Sequence, residues 1–269
     1  SKRGNFPAFC PAAMGTPKPS LKSLLRKGDL LVAPGVFDGI STRLADQVGF
    51  QALYMTGFGT VGSNLGLPDA GLASYRDMVE RVRTLSALTS APLICDGDTG
   101  FGGLLNVDHT VKGYEAAGAA AIQLEDQEFP KKCGHTPNRK VIPFEQAVAK
   151  IRARSSPDFL IIARTDARTT LGLEEALRRA RAFAAAGADI LFVEAPESEA
   201  EMATICSSLA DTGKPLLVNC VEGGKTPLLS KQRLIELGYQ LAIYPATGFL
   251  AMGQALNKVY RNLSETGDS

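Results

Sequence analysis

Ala186-Gly187-Ala188-Asp189-Ile190-Leu191-Phe192-Val193-Glu194 contains the joint on which the reading of the fold turns. A helical run ends at a glycine, a short apolar stretch follows, and a carboxylate stands at its end. Glycine one step past a helix adopts the left-handed conformation without a Cβ penalty, so it marks a helix C-terminus. The same joint recurs at Val48-Gly49-Phe50, Ala117-Gly118-Ala119 and Leu237-Gly238-Tyr239. Working outward, apolar runs occur at Leu30–Ala33, Ala52–Met55, Pro92–Cys95, Ala120–Leu124, Phe159–Ala163, Ile190–Val193, Pro215–Val218 and Gln240–Ile243. Continuous rather than alternating apolar runs are those of parallel strands covered on both faces. Helical spacing fills Ser74–Leu88, Val107–Ala117, Glu174–Ala186 and Thr247–Leu263. Strands alternating with helices in this number predict an α/β protein with one (β/α)₈ barrel over residues 1–269. A doubly wound open sheet is the alternative. Residues 1 to about 22 carry Lys2, Arg3, Lys18 and Lys22, four prolines and no acid, and read as a loose N-terminal arm.

Composition excludes several classes. At 45% hydrophobic residues the chain can bury a large core. Lys and Arg number 29 against 28 Asp and Glu, so no overall field draws in nucleic acid or an anionic membrane. No apolar run approaches the roughly 20 residues of a membrane span. The cysteines Cys10, Cys95, Cys133, Cys206 and Cys220 are widely spaced and odd in number, which fits a reducing, cytoplasmic setting.

Barrels of this kind carry their sites at the C-terminal strand ends. Here those ends read Pro34-Gly35, Thr56-Gly57, Asp96-Gly97-Asp98, Glu125-Asp126, Arg164-Thr165-Asp166, Glu194, Asn219 and Tyr244-Pro245, a set rich in carboxylates. Asp96 and Asp98 occupy alternate positions, so on an extended chain they share a face. With Glu125 they place three carboxylates in one sector, and a hard divalent cation such as Mg²⁺ relieves their repulsion. Gly97, Gly100, Gly102 and Gly103 would let substrate and backbone come close. No lysine ends a strand, which argues against a Schiff-base aldolase. Arg164 offers a planar fork for a carboxylate, and Asn219 a second polar contact. The connection Asp126–Pro143 is long and polar, with Lys131, Lys132, Arg139 and Lys140, and reads as a lid over Glu128–Arg139. Within it Cys133 stands beside Lys132 and near His135, where a thiol can shuttle a proton; the loop cysteine alone does not establish that role. His109 reads as structural.

Taken together, Asp96-Gly-Asp-Thr-Gly-Phe-Gly102, Leu124-Glu-Asp-Gln127, Lys131-Lys-Cys-Gly-His135, Ala163-Arg-Thr-Asp166 and Asn219 resemble the isocitrate lyase/phosphoenolpyruvate mutase superfamily over about Leu30 to Tyr260. The Lys-Lys-Cys-Gly-His loop is similar to that of the carbon–carbon lyases rather than the phosphonate enzymes. The resemblance implies Mg²⁺, with Mn²⁺ as the alternative ion, held most directly by Asp98 and largely through water by Asp69, Asp96 and Glu125. It implies that Thr56, Gly57, Phe58 and Arg164 contact the 2-oxo acid part of a substrate. Cys133, Gly134, His135, Glu194 and Asn219 would surround its other carboxylate, with Cys133 as the acid. It further implies a homo-oligomer, most simply a homotetramer, with Thr247–Leu263 at the interface.

Two departures narrow the substrate. The methylisocitrate lyases of this family carry an arginine after strand eight that grips a third carboxylate; the corresponding position here is Leu250. They also continue into a further C-terminal helix, whereas the sequence in hand runs to Ser269. Both point to a dicarboxylate. Asn219-Cys-Val-Glu-Gly-Gly-Lys-Thr-Pro227 and Gly102-Gly103 resemble the 2,3-dimethylmalate lyase and oxaloacetate hydrolase branch. The competing readings are oxaloacetate hydrolysis in the same site, methylisocitrate cleavage, a barrel that binds a dicarboxylate–metal complex without turnover, and a phosphosugar barrel using Glu222-Gly-Gly-Lys225 as a phosphate nest.

Overall fold

Eight strands, β1 (Leu31–Val36), β2 (Leu53–Met55), β3 (Leu93–Asp96), β4 (Ala121–Glu125), β5 (Leu160–Thr165), β6 (Ile190–Val193), β7 (Leu216–Asn219) and β8 (Leu241–Tyr244), pair in sequence order and close into a barrel. Every pairing is parallel, and β8 returns to β1 through Leu31 opposite Leu241 and Pro34 opposite Tyr244. This computed structural model describes residues 18–132 and 139–268. The (β/α)₈ reading therefore holds, with each strand within a residue or two of its expected place except β1. That strand runs on through Pro34-Gly35 to Val36. Gly35 permits this, because a Cβ there would lie 2.5 Å from the carbonyl oxygen of Pro245.

The helices are α1 (Leu21–Leu24), α2 (Gly39–Val48), α3 (Gly57–Leu65), α4 (Tyr75–Ser86), α5 (Leu104–Ala116), α6 (Phe144–Ile151), α7 (Ala167–Leu171), α8 (Leu173–Ala186), α9 (Glu199–Leu209), α10 (Lys231–Leu237) and α11 (Thr247–Thr266). The joint glycines behave as their positions predict: Gly49, Gly118, Gly187 and Gly238 all have φ between 88° and 108°. Helix α5 starts a turn earlier than its apolar spacing suggests, because the Asn106 side chain accepts the Gly103 N–H at 3.1 Å. His109 in that helix stacks on Tyr75, 4.8 Å between ring centroids.

Two apolar cores result. One fills the layer between strands and helices, with Leu53, Met55, Leu93, Ile122, Ile161, Ala163 and Val218 among its members. The other fills the barrel, with Tyr54, Ile94, Ala121, Leu160, Ile162, Ile190, Phe192, Leu217 and Ile243. Neighbouring residues of one strand fall into different cores, the two-residue period of an extended chain. Leu21 of α1 belongs to the inner core. No helix among the described residues is long and apolar enough to cross a membrane.

Candidate active site

The inner core sets the geometry of the barrel mouth. Carrying its parity one or two steps towards the strand ends brings Thr56 above Tyr54, Asp96 above Ile94, and Gln123 and Glu125 above Ala121. It likewise brings Arg164 above Ile162, Glu194 above Phe192, and Asn219 above Leu217. All of these side chains are buried. Thr56, Asp96, Arg164 and Asn219 line a cavity of about 240 Å³ together with Phe58, Asp69, Lys131, Val221 and Leu250. That volume is roughly eight water molecules' worth, the scale of a small metabolite.

One half of the mouth is a carboxylate cluster. Asp96 ends β3; its Oδ2 accepts the Gly57 N–H at 3.2 Å and its Oδ1 the Asp98 N–H at 3.1 Å. A Cβ on Gly57 would sit 2.6 Å from Asp96 Oδ2, so only glycine fits there. The Tyr114 hydroxyl donates to the Asp96 carbonyl at 3.1 Å and ties β3 to α5. Asp98 does join Asp96, but not by strand alternation: its φ is 48°. Gly97 lies against Ile122, the Gly100 N–H closes a turn on the Gly97 carbonyl at 2.9 Å, and aspartate tolerates the left-handed conformation. Gly97, Gly100, Gly102 and Gly103 accordingly shape this turn and the start of α5, and none of them lines the cavity.

Lys131 reaches into the cluster from beyond β4. Its Nζ lies 2.5 Å from Asp69 Oδ1 and 2.6 Å from Asp98 Oδ1. The strand-end test for lysine overlooks this residue. Burial alone would favour its free amine, but Asp98, Asp69, Asp96 and Glu125 outweigh that and hold its pKa well above the ordinary lysine value. It is an ammonium, which still disfavours Schiff-base chemistry. The acids answer in kind. Burial raises Asp96 and Glu125, and pushes Asp98 up to about 7 despite Lys131. Glu125 Oε1 is buried and has no hydrogen-bond partner. Carboxylate oxygens crowded together against burial in this way suit a hard divalent cation, whose charge would favour their ionised form. Among the described residues no three His, Cys, Asp or Glu side chains form a ready-made cage. Asp69, Asp96, Asp98 and Glu125 are the residues that would hold such an ion.

The other half is built around Arg164. Its Nε and Nη2 donate to the two oxygens of Asp166, each at 2.9 Å. Nη1 lies 3.1 Å from Glu125 Oε2, and Nε lies 3.6 Å from Glu194 Oε2. Burial opposes the charge, but Asp166, Glu125 and Glu194 hold its pKa well above the ordinary arginine value. The guanidinium stands 5.4 Å from the Phe192 ring centroid. Asn219 donates to Glu194 at 3.3 Å, while its own Oδ1 is buried without a hydrogen-bond partner. Beneath them Asp126 accepts the Thr165 hydroxyl at 2.7 Å, the Asp166 N–H at 2.8 Å and Arg179 at 3.0 Å, which locks the end of β5. Arg139 also bonds Asp166.

The structure therefore brings together Thr56, Gly57, Phe58, Asp69, Asp96, Asp98, Glu125, Arg164, Glu194 and Asn219. Cys133, Gly134 and His135 lie outside the described residues. Glu222, Gly223 and Gly224 line the same cavity, but Lys225 turns to Glu197 at 3.7 Å, so the proposed phosphate nest lacks its cation. Lys131, Gln123 and Arg139 are site residues that strand-end reading did not single out, while Asp126 and Asp166 stood there only as polar strand ends.

The family model of phosphoenolpyruvate phosphomutase matches residues 21–264. Among curated relatives, a 2,3-dimethylmalate lyase of Eubacterium barkeri is 46% identical over 88% of this chain and 82% of its own. A 2-methylisocitrate lyase of Aeropyrum pernix is 42% identical over 92% and 80%. Among solved structures, an oxaloacetate acetylhydrolase bound to 3,3-difluorooxalacetate superposes with a TM-score of 0.88 at 37% identity, covering 92% of this chain and 86% of that one.

Proposed function

The chain belongs to the phosphoenolpyruvate phosphomutase family, and we propose that within it this protein is a Mg²⁺-dependent carbon–carbon lyase. Its substrate is a substituted 2-hydroxy dicarboxylate of the 2,3-dimethylmalate type, cleaved to a 2-oxo acid and a carboxylate. The observation that carries this reading is one small cavity lined by the carboxylates Asp69 and Asp96 with Lys131, by Arg164 and Asn219, and by the apolar Phe58, Val221 and Leu250.

Asp98, Asp69, Asp96 and Glu125 would hold the ion, or Mn²⁺ in its place. When bound, the ion supplies positive charge that polarises the substrate's oxygens and offsets the carboxylates. Thr56, Gly57 and Phe58 bound the 2-oxo acid part, with the Gly57 N–H fixing Asp96. Arg164 retains donors beyond those given to Asp166 and Glu125, and these receive a carboxylate. Asn219, with Glu194, Gly134 and His135, encloses the second carboxylate. A base takes the C2 hydroxyl proton, the C2–C3 bond breaks as the C2 carbonyl forms, and the electron pair left on C3 takes a proton from Cys133. The products are a 2-oxo acid such as pyruvate and a saturated carboxylate.

Leu250 supports two carboxylates rather than three. It lies on the cavity wall with Ala246 and Pro245, an apolar stretch that offers a third carboxylate no charge of its own. The oxaloacetate hydrolase reading shares every polar residue, and differs in leaving the apolar wall without alkyl groups to contact. Incubation with a panel of substituted malates, oxaloacetate and methylisocitrate, read by mass spectrometry, tests the reading. Preferred cleavage of an alkylated malate is expected, and preferred hydrolysis of oxaloacetate would replace lyase by hydrolase.

The same reading makes the protein a cytoplasmic homo-oligomer, most simply a homotetramer. Helix α11 has no buried residue in its length, and Leu250, Leu256, Val259, Tyr260 and Leu263 are exposed along it. Beside it runs a groove formed by Phe37, Ile40, Leu44 and Phe50 of the α2 region and Met252 and Leu256 of α11. A second copy covering both surfaces accounts for so much bare apolar area.

A further inference from the structure

Arg139 is a long side chain from the connection between β4 and α6, and its side chain is fully buried, as is that of Asp166. A guanidinium removed from water in this way is destabilising unless its charge has a task or a partner. Its partner is Asp166, whose Oδ1 it shares with Nη2 of Arg164; the second Nη donates to the Thr169 hydroxyl at 2.7 Å. The Nε of Arg139 has no hydrogen-bond partner, so the residue is not placed there to complete a saturated network.

The charges explain the arrangement. Arg164 and Asp166 alone, joined through two hydrogen bonds, form a neutral pair. Glu125 and Glu194 also face the guanidinium, so Arg164 with Asp166, Glu125 and Glu194 carries a net −2, which Arg139 brings to −1, easing the repulsion of an anionic ligand. Arg139 bonds Asp166 without lining the cavity, whereas Arg164 lines it. We propose that Arg139 is a positioning residue that, by sharing Asp166, leaves the positive charge of Arg164 available to a ligand carboxylate. It acts through Asp166 and has no contact with the ligand.

This inference rests on Arg164 receiving a carboxylate, but not on which dicarboxylate is cleaved. The test therefore uses oxalate, a small rigid dicarboxylate, titrated calorimetrically into the Mg²⁺-loaded oligomer. Arg139→Met is expected to weaken oxalate binding about tenfold or more, in the range seen when partners of a ligand-holding group are removed. Arg139→Lys should recover most of it. The discriminating variant is Arg139→Met combined with Asp166→Asn. Removal of the carboxylate that Arg139 neutralises should bring oxalate affinity back towards wild type, which a purely structural role for Arg139 would not do. In turnover, Arg139→Met should raise KM more than it lowers kcat. Unchanged oxalate affinity in Arg139→Met, or a double variant weaker than the single one while its thermal transition stays cooperative, would overturn the inference. A wild-type protein that binds no oxalate would overturn the carboxylate-site reading and the inference with it.

Discussion

The ammonium of Lys131 lies 2.6 Å from Oδ1 of Asp98, inside the cluster of acids that is otherwise the best site for a divalent cation. An ion and an ammonium compete for the same oxygens, and protons compete with both. Burial pushes Asp98 up to about 7, so below that pH its oxygens carry a proton that an ion must displace. Mg²⁺ affinity should therefore be greatest above neutrality and fall as pH drops from 8 to 6, measured by calorimetric titration. Chelation should abolish turnover. Asp98→Asn should lower activity by roughly 100-fold, the upper range for loss of metal-site partners. Full activity in excess chelator would remove the ion from the account.

Leu250 lines the cavity, and in the proposed reading it stands where a third substrate carboxylate would need a cation. Leaving such a charge unpaired in a closed site disfavours methylisocitrate against dimethylmalate by a factor on the order of 10² to 10³. Comparison of kcat/KM for the two substrates checks this. Leu250→Arg should narrow the gap, mostly by improving methylisocitrate. A wild-type preference for methylisocitrate would mean that another residue meets the third carboxylate.

Much of this was legible from the chain. The apolar runs reveal eight strands because both faces of a parallel strand are covered, and the joint glycines locate where helices hand over to them. The same continuity hid the inward parity. Leu160 to Ala163 shows no alternation, so only the strand-end position, and not the facing, marked Arg164. Asp96 and Asp98 were rightly paired for a reason that fails: a turn at Gly97, rather than an extended chain, brings Asp98 in. Lys131 and Arg139 read as loop charges, because their burial depends on where a long connection returns over the barrel, which no local pattern records. Asp166 stood out as a polar strand end, but its place between two guanidiniums is a property of the folded site.

Away from the site, Asp46 holds α2 to the segment before β3. Its Oδ1 accepts the Thr89 hydroxyl at 2.8 Å, the Ser90 N–H at 2.8 Å and the Ser90 hydroxyl at 3.0 Å. Partial burial would raise this carboxyl, but the three hydrogen bonds outweigh it and hold its pKa below the ordinary 3.8. An acid with a depressed folded pKa stabilises above its unfolded value, and the effect is lost as pH falls through the folded one. Asp46→Asn should thus cost about 1 kcal/mol at pH 7, allowing for solvent screening. Urea unfolding should show the difference shrinking below about pH 4. An equal loss at both pH values would assign the effect to shape rather than charge.

Helix α11 leads to a prediction about mass. At micromolar concentration, sedimentation should give a multiple of the 28.5 kDa chain mass, most simply four. Leu256→Glu combined with Val259→Glu on the exposed face should shift the distribution towards the monomer. A wild-type species at the single-chain mass would contradict the covering of α11 by a second copy.

The most direct test of the central claim is cleavage of 2,3-dimethylmalate in D₂O with Mg²⁺, followed by NMR. If the C2–C3 bond breaks and Cys133 delivers a solvent-exchangeable proton to C3, pyruvate and propanoate should appear in equal amounts. The propanoate should carry one deuterium at C2, and both products should vanish on chelation and fall sharply in Cys133→Ser. Absence of cleavage while oxaloacetate yields oxalate and acetate would contradict the lyase account. An undiminished rate in Cys133→Ser would contradict the role given to the thiol.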